Sequence, residues 1–248
     1  MDLGIAGKRA AVAGASSGLG LATAKALAAE GVHVAICGRD LARINAAAVE
    51  VGHGCVPIVA DVGSAQGGAQ FVAAAIDALG GVDILVPNAG GPPPGTFAST
   101  EIDLYQVSID LNLLSVVGMC KAAIPAMQQR GWGRVVAITS VSVRQPIPTL
   151  ILSNTARAGV TGFLKTVARE VAVDGVTVNT VQPGLHLTGR VTQLYGAAPD
   201  AAALGIPAGV MGDPDDFGHV VAFLCSEHAR FVTGVQMQVD GGAYGGLL

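Results

Sequence analysis

The chain has 248 residues, of which 51% are apolar and only 13% are charged, and its formal net charge is -4 at pH 7. This length is enough for one large domain with a sizeable core, and so few charges mean that helices are covered on more than one side. The absence of a Lys/Arg run argues against nucleic acid as a partner. We also expect no membrane partner, because no apolar stretch without Gly or Pro reaches the length of a membrane span.

Strand-like runs alternate with helical stretches from one end of the chain to the other. The strands are predicted at residues 10–13, 32–37, 56–60, 82–87, 134–139, 177–181 and 236–239. Helices are predicted between them, with the last one beginning at Asp213-Pro214, where a capping Asp precedes a Pro in the first turn. This alternation predicts an α/β fold, a single-domain doubly wound parallel sheet of Rossmann type with helices on both faces, over residues 1–248. The irregular segment 185–212 follows a strand and is long enough to be a substrate lid.

Cysteines and histidines point to no special chemistry. The four cysteines are far apart and form no C-x-x-C pair: Cys37, Cys55, Cys120 and Cys225. We therefore predict reduced, buried thiols and a cytoplasmic protein, and the N-terminal residues do not have the pattern of a signal peptide. Apart from His186, the histidines show no metal-ligand spacing and no role, so no metal site is predicted.

A glycine-rich turn, Ala13-Gly-Ala-Ser-Ser-Gly-Leu-Gly20, joins the first predicted strand to the first helix. Its glycines allow a tight turn at Gly14, a close approach of backbone to phosphate at Gly18, and close helix–strand packing at Gly20. The N-terminus of the following helix offers unpaired N–H groups to an anion. The spacing G-x-x-x-G-x-G differs from the common G-x-G-x-x-G, but it still predicts a phosphate-binding loop.

Further motifs follow this loop in a fixed order. They are Asp61-Val62 after the third strand, Asn88-Ala89-Gly90 after the fourth, Asn112 in a helix, Ser140 after the fifth strand, Pro183-Gly184 with Thr188 after the sixth, and Val239-Asp240-Gly241-Gly242 near the end. The ordered set resembles the short-chain dehydrogenase/reductase family, in particular the 3-oxoacyl-acyl-carrier-protein reductases. The resemblance covers essentially the whole chain.

The resemblance implies a cofactor site built from these motifs. The residues it assigns to the dinucleotide are Gly14, Ser16, Ser17, Gly18, Leu19, Gly20, Asp61, Val62, Asn88, Ala89, Gly90, Pro183, Gly184 and Thr188. Members that prefer NAD carry an acid near the position of Gly38. Here Arg39 follows that glycine, and a guanidinium suits a 2′-phosphate, so we expect NADP(H) in preference to NAD(H). The neighbouring Asp40 speaks against this choice.

The family's catalytic residues are an Asn, a Ser and a Tyr-x-x-x-Lys pair, and here the pattern breaks. Asn112 and Ser140 match the first two, but Ser153 and Arg157 stand where the Tyr and Lys are expected. A serine hydroxyl is a poor acid at neutral pH, and Arg stays protonated, so it cannot relay a proton. By this reasoning, Arg157 holds the nicotinamide ribose or stabilises an oxyanion. Candidate replacement proton donors are His186 and Tyr195, while Ser142 could face the pocket from an extended segment.

Three functions remain open at this point. The first is an NADP(H)-dependent oxidoreductase with an altered proton-donor site, acting on a carbonyl, an alcohol or a related small apolar substrate. The second is a non-redox lyase or isomerase on the same fold, and the third is a catalytically degenerate nucleotide-binding subunit. The high apolar fraction and the Gly-rich C-terminus suggest burial against a partner, and the resemblance implies a homotetramer or homodimer.

Overall fold

Seven strands form one parallel sheet in this computed structural model, which describes residues 1–247. In chain order they are β1 (Arg9–Val12), β2 (His33–Gly38), β3 (Val56–Val59), β4 (Ile84–Val86), β5 (Gly133–Ile138), β6 (Val176–Pro183) and β7 (Gln236–Val239). The spatial order is β3-β2-β1-β4-β5-β6-β7, and every neighbouring pair is parallel. The order reverses between β1 and β4, which opens a crevice at the carboxyl ends of these strands. The predicted doubly wound α/β fold is confirmed.

Helices cover both faces of the sheet, as the apolar strands require. They are α1 (Gly18–Ala29), α2 (Leu41–Val51), α3 (Ala65–Leu79), α4 (Asp103–Ile109), α5 (Ser115–Arg130), α6 (Ile151–Val171), α7 (Gly189–Tyr195) and α8 (Pro214–Leu224). One apolar core lies under α1, α2 and α8, and the other lies under α3, α5 and α6. The side chain of Asp213 caps α8 by accepting a hydrogen bond from the Asp215 N–H at 2.8 Å, as predicted.

The helix after β5 is longer than predicted. The apolar periodicity of the sequence indicates a helix from about Val160, but α6 begins at Ile151. The difference arises because Ser153, Asn154 and Thr155 lower the helical signal of the first turn. Tertiary contacts outweigh this low propensity, since the Asn154 amide donates to the Ile147 carbonyl oxygen at 2.9 Å and so ties the first turn to the preceding loop.

The helical run Asp103–Arg130 is long and apolar enough to cross a membrane by length and composition, although the sequence predicts no membrane span. In this fold, 44% of its apolar window is buried, and it packs against α3 and the sheet. A core helix of a globular protein meets the same length criterion.

The prediction of buried cysteines needs one correction. All four thiols are free, but Cys55 is only partly buried.

Candidate dinucleotide and substrate site

The glycine loop has the backbone that its sequence requires. Gly14 and Gly18 have φ angles of 57° and 61°, a region that other residues rarely adopt. A Cβ placed on Gly20 would lie 2.6 Å from the backbone oxygen of Gly14, so only glycine fits there. The side chain of Ser17, the N-cap of α1, makes no capping hydrogen bond, whereas the next two helices are capped by Asp40 and Ser64. The N-terminal N–H groups of α1 are therefore left to an anion.

Asn88 supports the glycine loop from the neighbouring strand. Its Nδ2 donates to the backbone oxygens of Ala13 and Gly14, at 3.3 and 3.1 Å. Sequence reasoning assigned Asn88 only to the ribose and missed this bracing role. The amide therefore holds the turn at the point where β1 and β4 separate.

The segment after β6 faces the glycine loop across the crevice. A Cβ placed on Gly18 would lie 3.5 Å from Thr188 Cγ2, so the two predicted residues lie next to each other. Thr188 also caps α7, because its Oγ1 accepts from the Val191 N–H at 3.4 Å. The end of β6 runs so close to Asp240 that a Cβ on Gly184 would lie 2.7 Å from its Cα. This contact explains why Pro183-Gly184 and the Asp240-Gly241-Gly242 turn occur together.

Gly38 occupies a tight position at the end of β2, where NAD-preferring members of the resembled family carry an acid. A Cβ on Gly38 would lie 3.1 Å from the Cβ of Ser16 and 3.3 Å from Ile44 Cδ1. Arg39 is exposed. The carboxylate of Asp40 caps α2, because it accepts a hydrogen bond from the Arg43 N–H at 2.8 Å. The objection that Asp40 raises against NADP(H) is therefore weakened.

Asp61 and Val62 form the far wall at the end of β3. Val62 is buried, whereas Asp61 is exposed and its carboxylate accepts from the Gly63 N–H at 2.9 Å. Leu19, Ala89 and Gly90 complete the predicted set, and the last two lie directly beyond β4. The walls, the open helix terminus and the glycine turn fit a dinucleotide laid across the carboxyl edge of the sheet.

Ser140 lies two residues beyond β5 at the same edge. Its Oγ accepts a hydrogen bond from the Ser142 N–H at 3.1 Å, which leaves its own proton free to be donated. Ser142 is part of a 3-10 turn, Val141–Val143, and not of an extended segment as expected. Its hydroxyl is buried and has no hydrogen-bond partner within residues 1–247. The turn packs against α6.

Ser153 and Arg157 are one helical turn apart on α6, and both are buried. Arg157 points inward: Nη1 donates to the Ile138 oxygen at 3.2 Å and Nη2 to the Ala89 oxygen at 3.4 Å. Burial lowers the pKa of Arg157 to about 10, which still leaves it charged at neutral pH. These bonds brace the end of β5 and the segment that follows β4, and the assignment of Arg157 to the nicotinamide ribose or to an oxyanion stays a prediction.

Asn112 lies in a π-helical turn, Asp110–Leu114, between α4 and α5. Its Nδ2 donates to the Gly90 oxygen at 3.1 Å, while its buried Oδ1 has no partner in the described chain. An enclosed cavity of about 10 Å³ lies between Asn112 and Arg157. That volume corresponds to roughly one water molecule, which would satisfy the unpaired oxygen. The π-helical turn is a local distortion of the helix at Asn112.

His186 does not lie in an open loop. It is buried, its ring meets Phe217 edge-on with centroids 5.1 Å apart, and its Nδ1 lies 3.3 Å from the Gly184 oxygen. His186 also forms a bridge to Gly212, where a Cβ would lie 2.5 Å from the imidazole Cδ2. His186 therefore connects the two ends of segment 185–212, and we call this contact the His186 clasp. A buried ring that is fixed in this way speaks against a role as proton donor.

We expect the clasp to make stability depend on pH. Burial lowers the pKa of His186, and the Gly184 hydrogen bond and the charges of Asp213 and Asp216 only partly offset this. The unfolded chain therefore takes up a proton at higher pH than the folded chain. Stability is complete above the unfolded pKa of about 6.5 and is lost as pH falls through the folded value, by at most ~1.4 kcal/mol per pH unit.

Urea unfolding at a series of pH values between 7.5 and 5 (chosen as ~1 unit or more on either side of the usual His pKa) checks this expectation. The His186→Gln variant should lose less stability than the wild type as pH falls, and the exposed His33→Gln control should follow the wild type. A parallel decline in all three proteins would contradict the role of His186.

Tyr195 is the last residue of α7 and is 42% exposed. The neighbouring Arg190 ties this helix to the opposite loop, since its Nη2 donates to the Pro92 oxygen at 3.2 Å. No ionisable hydroxyl or carboxyl group replaces the expected tyrosine on α6 itself. Within residues 1–247, no group of three or more His, Cys, Asp or Glu side chains is arranged to hold a metal ion.

Comparison with known proteins agrees with this architecture. Residues 14–244 match the family described as enoyl-(acyl carrier protein) reductase. The chain is 34% identical to the 3-oxoacyl-(acyl-carrier-protein) reductase of Vibrio cholerae over 98% of this chain and 99% of that protein. It is 32% identical to human dehydrogenase/reductase SDR family member 4, over 96% of this chain and 88% of the relative.

Solved structures give the same result. The L-sorbose reductase of Gluconobacter frateurii, complexed with NADPH and L-sorbose, superposes with a TM-score of 0.92 at 31% identity over 100% of both chains. An NADPH-bound short-chain oxidoreductase of Pseudomonas aeruginosa, described as containing an atypical catalytic center, superposes with a TM-score of 0.90 at 32% identity, over 96% of this chain and 97% of that one. The chain belongs to the short-chain dehydrogenase/reductase family of NAD(P)H-dependent oxidoreductases.

Proposed function

We propose that the chain is an NADP(H)-dependent oxidoreductase that acts on a carbonyl, an alcohol or a related small apolar substrate through an altered proton-donor site. The observation that carries this proposal is the open N-terminus of α1 behind a glycine turn that admits no side chain at Gly20. This cradle lies at the edge of the sheet where Ser140 also lies. The NADPH-bound relatives support the same reading.

The residues of the crevice have distinct tasks in this proposal. The glycine loop, Asn88 and Thr188 would hold the dinucleotide, and the reduced nicotinamide would supply a hydride when bound. Ser140 and Ser153 would donate hydrogen bonds to the substrate oxygen, since each carries a hydroxyl and that of Ser140 acts only as an acceptor toward the Ser142 N–H. Arg157 would brace the strand ends and contribute positive charge. Ser153 and Arg157 would replace the usual Tyr and Lys, which makes this an atypical active site.

The preference for NADP(H) rests on the end of β2. A side chain at position 38 would crowd Ser16 and Ile44, which disfavours the acid that would select NAD(H). Arg39 beside it is exposed and has no ion-pair partner among residues 1–247. Segment 185–212 is proposed as the substrate lid, with α7 as its moving part and the His186 clasp as its base. We also propose that the protein is a cytoplasmic homotetramer or homodimer.

Replacing Arg39 with alanine is expected to weaken NADPH binding about 10- to 100-fold and to leave NADH binding within a few-fold, since a charge-assisted phosphate contact contributes ~1.5–3 kcal/mol. Fluorescence titration of each reduced dinucleotide measures both constants. The exposed Arg230→Ala variant is the matched control, and it should bind both as the wild type does. Equal losses for NADPH and NADH would show that Arg39 does not meet the 2′-phosphate.

The function itself is tested with a panel of ketones, imines, enones and quinones under saturating NADPH. Saturable NADPH oxidation with at least one compound, reduced by Ser140→Ala and by Arg157→Ala, is the expected result. Measured NADPH binding without turnover of any compound would favour the degenerate subunit instead. Turnover of a compound without a change in nicotinamide absorbance would favour a lyase or isomerase.

A further inference from the structure

An open cavity of about 610 Å³ lies at the amino edge of the sheet, opposite to the glycine loop. Its lining includes Lys8, Asp83 and Trp132, which directly precede the adjacent strands β1, β4 and β5. Arg9, the first residue of β1, and Arg130, the last residue of α5, also line the cavity. Since β1 has four residues, roughly 13 Å of strand separates this cavity from the glycine loop.

The charges that line this cavity do not balance. Lys8, Arg9 and Arg130 are cations, and Asp83 is the single carboxylate that residues 1–247 contribute to the lining. Burial raises the pKa of Asp83, but the hydrogen bonds and charge of Arg9, together with the charge of Arg130, lower it overall, so the carboxylate is ionised at neutral pH. Two positive charges therefore remain in excess here, in a chain whose formal net charge is -4.

The two arginines differ in how fully their donors are used. Arg9 Nε and Nη2 donate to the two carboxylate oxygens of Asp83 at 2.7 and 2.8 Å, so this pair ties the start of β1 to the start of β4. Arg130 Nε lies 3.3 Å from Asp83 Oδ1, and its Nη2 donates to the Val82 oxygen at 2.5 Å. None of the hydrogen bonds within residues 1–247 uses Arg130 Nη1, which leaves this group for a ligand.

Lys8 has no ion-pair partner among residues 1–247, and its Nζ lies 4.0 Å from the centroid of the Trp132 ring. A cation–π contact near solvent is weaker than a charge-assisted hydrogen bond, so an anion can draw Lys8 away from the ring. The indole itself is fixed, because Nε1 donates to Glu227 at 2.7 Å and the Arg134 guanidinium lies 4.3 Å from the ring centroid. Glu227 contacts Arg134 as well, and so does not neutralise Lys8.

We propose that this cavity binds a small organic phosphate monoester, with its phosphate between Lys8 and Arg130 and its organic group against Trp132. A phosphate monoester carries a charge of about -1.5 to -2 at pH 7, which matches the two positive charges in excess. Its oxygens accept hydrogen bonds from both a guanidinium and an ammonium group. The cavity has the size of a small-molecule site and is larger than a bare phosphate, so an organic group is needed to contact the indole.

Phenyl phosphate is the probe, and phenyl sulfate is its matched control, because the two esters share a ring and differ in charge. Trp132 is the only tryptophan in the chain, so tryptophan emission reports on this cavity directly. Phenyl phosphate is expected to change this emission saturably and to bind at least fivefold more tightly than phenyl sulfate. Lys8→Gln and Arg130→Gln should each weaken its binding at least fivefold, whereas Lys121→Gln, at an exposed position on α5, should not. Circular dichroism establishes that each variant is folded.

Competition with NADPH separates this cavity from the dinucleotide crevice. Calorimetric titration with phenyl phosphate should give the same affinity with and without saturating NADPH. Loss of binding in the presence of NADPH would place the phosphate at the glycine loop and overturn the proposal. So would the lack of a saturable emission change up to ~10 mM phenyl phosphate, equal affinities for the two esters, or an unchanged affinity in both folded variants. Binding of phenyl phosphate by a chain that binds no dinucleotide would contradict the function proposed above and support this site.

Discussion

Gly20→Ala is expected to lower NADPH affinity at least ~100-fold, because the added methyl group would meet backbone rather than a flexible side chain. The new Cβ would lie 2.6 Å from the Gly14 oxygen, 2.9 Å from Asn88 Nδ2 and 3.1 Å from the Ala15 Cα. Relief of these clashes requires the loop to move away from α1. That movement breaks the hydrogen bond from Asn88 and turns the phosphate-facing backbone out of position.

Gly162→Ala is the matched control for this substitution. Gly162 also lies inside a helix, but a Cβ there meets nothing within 4 Å. Alanine at this exposed position should leave NADPH binding unchanged and raise stability by ~0.5–1 kcal/mol. Fluorescence titration measures the affinity and thermal unfolding measures the stability of both variants. NADPH affinity in a folded Gly20→Ala protein within a few-fold of the wild type would contradict the assignment of the loop.

The double variant Ser153→Tyr/Arg157→Lys is expected to gain reduction of saturated ketones by roughly 10²–10⁴-fold, the usual contribution of a positioned acid. The tyrosine would supply an ionisable hydroxyl where only a serine stands. The shorter lysine would release the Ile138 and Ala89 carbonyl oxygens and place its ammonium group nearer to the hydroxyl. That ammonium group lowers the tyrosine pKa toward neutrality.

Steady-state rates with cyclohexanone and NADPH measure this gain. The single variant Ser153→Tyr is the control, and it should gain less because Arg157 stays bonded to the strand ends. NADPH titration and thermal unfolding establish that the double variant is intact, since Ser153 is buried and the larger ring needs space. A folded, NADPH-binding double variant without any gain would mean that Ser153 and Arg157 do not occupy the acid position.

The glycine loop and the alternation of strands and helices could be predicted because local rules determine them. A turn with positive φ at Gly14 and Gly18 between an apolar run and a helix has few alternatives. Parallel strands joined by helices also have a strong preference for one handedness, so the alternation of elements limits the topology. The approach of Thr188 to Gly18 follows from that topology, because both lie just beyond the carboxyl ends of strands.

The directions of buried polar side chains could not be predicted, because they depend on contacts between distant segments. Sequence identifies Arg157 as a charge near the site, but its bonds to Ile138 and Ala89 join three elements. The same holds for His186, whose burial results from Phe217 and Gly212 closing over the ring. Gly212 is a sequence feature that indicates this packing, because a residue without a side chain leaves room for a large neighbour.

Equilibrium titration of the wild-type chain with NADPH and with NADH, followed by nicotinamide fluorescence, measures dinucleotide binding at the glycine loop. We predict saturable binding of one NADPH per chain, at least ~10-fold tighter than NADH because of the 2′-phosphate contact. Gly20→Ala should lose most of this affinity, and Gly162→Ala should keep it. If the folded wild-type chain binds neither dinucleotide, the crevice is not a dinucleotide site.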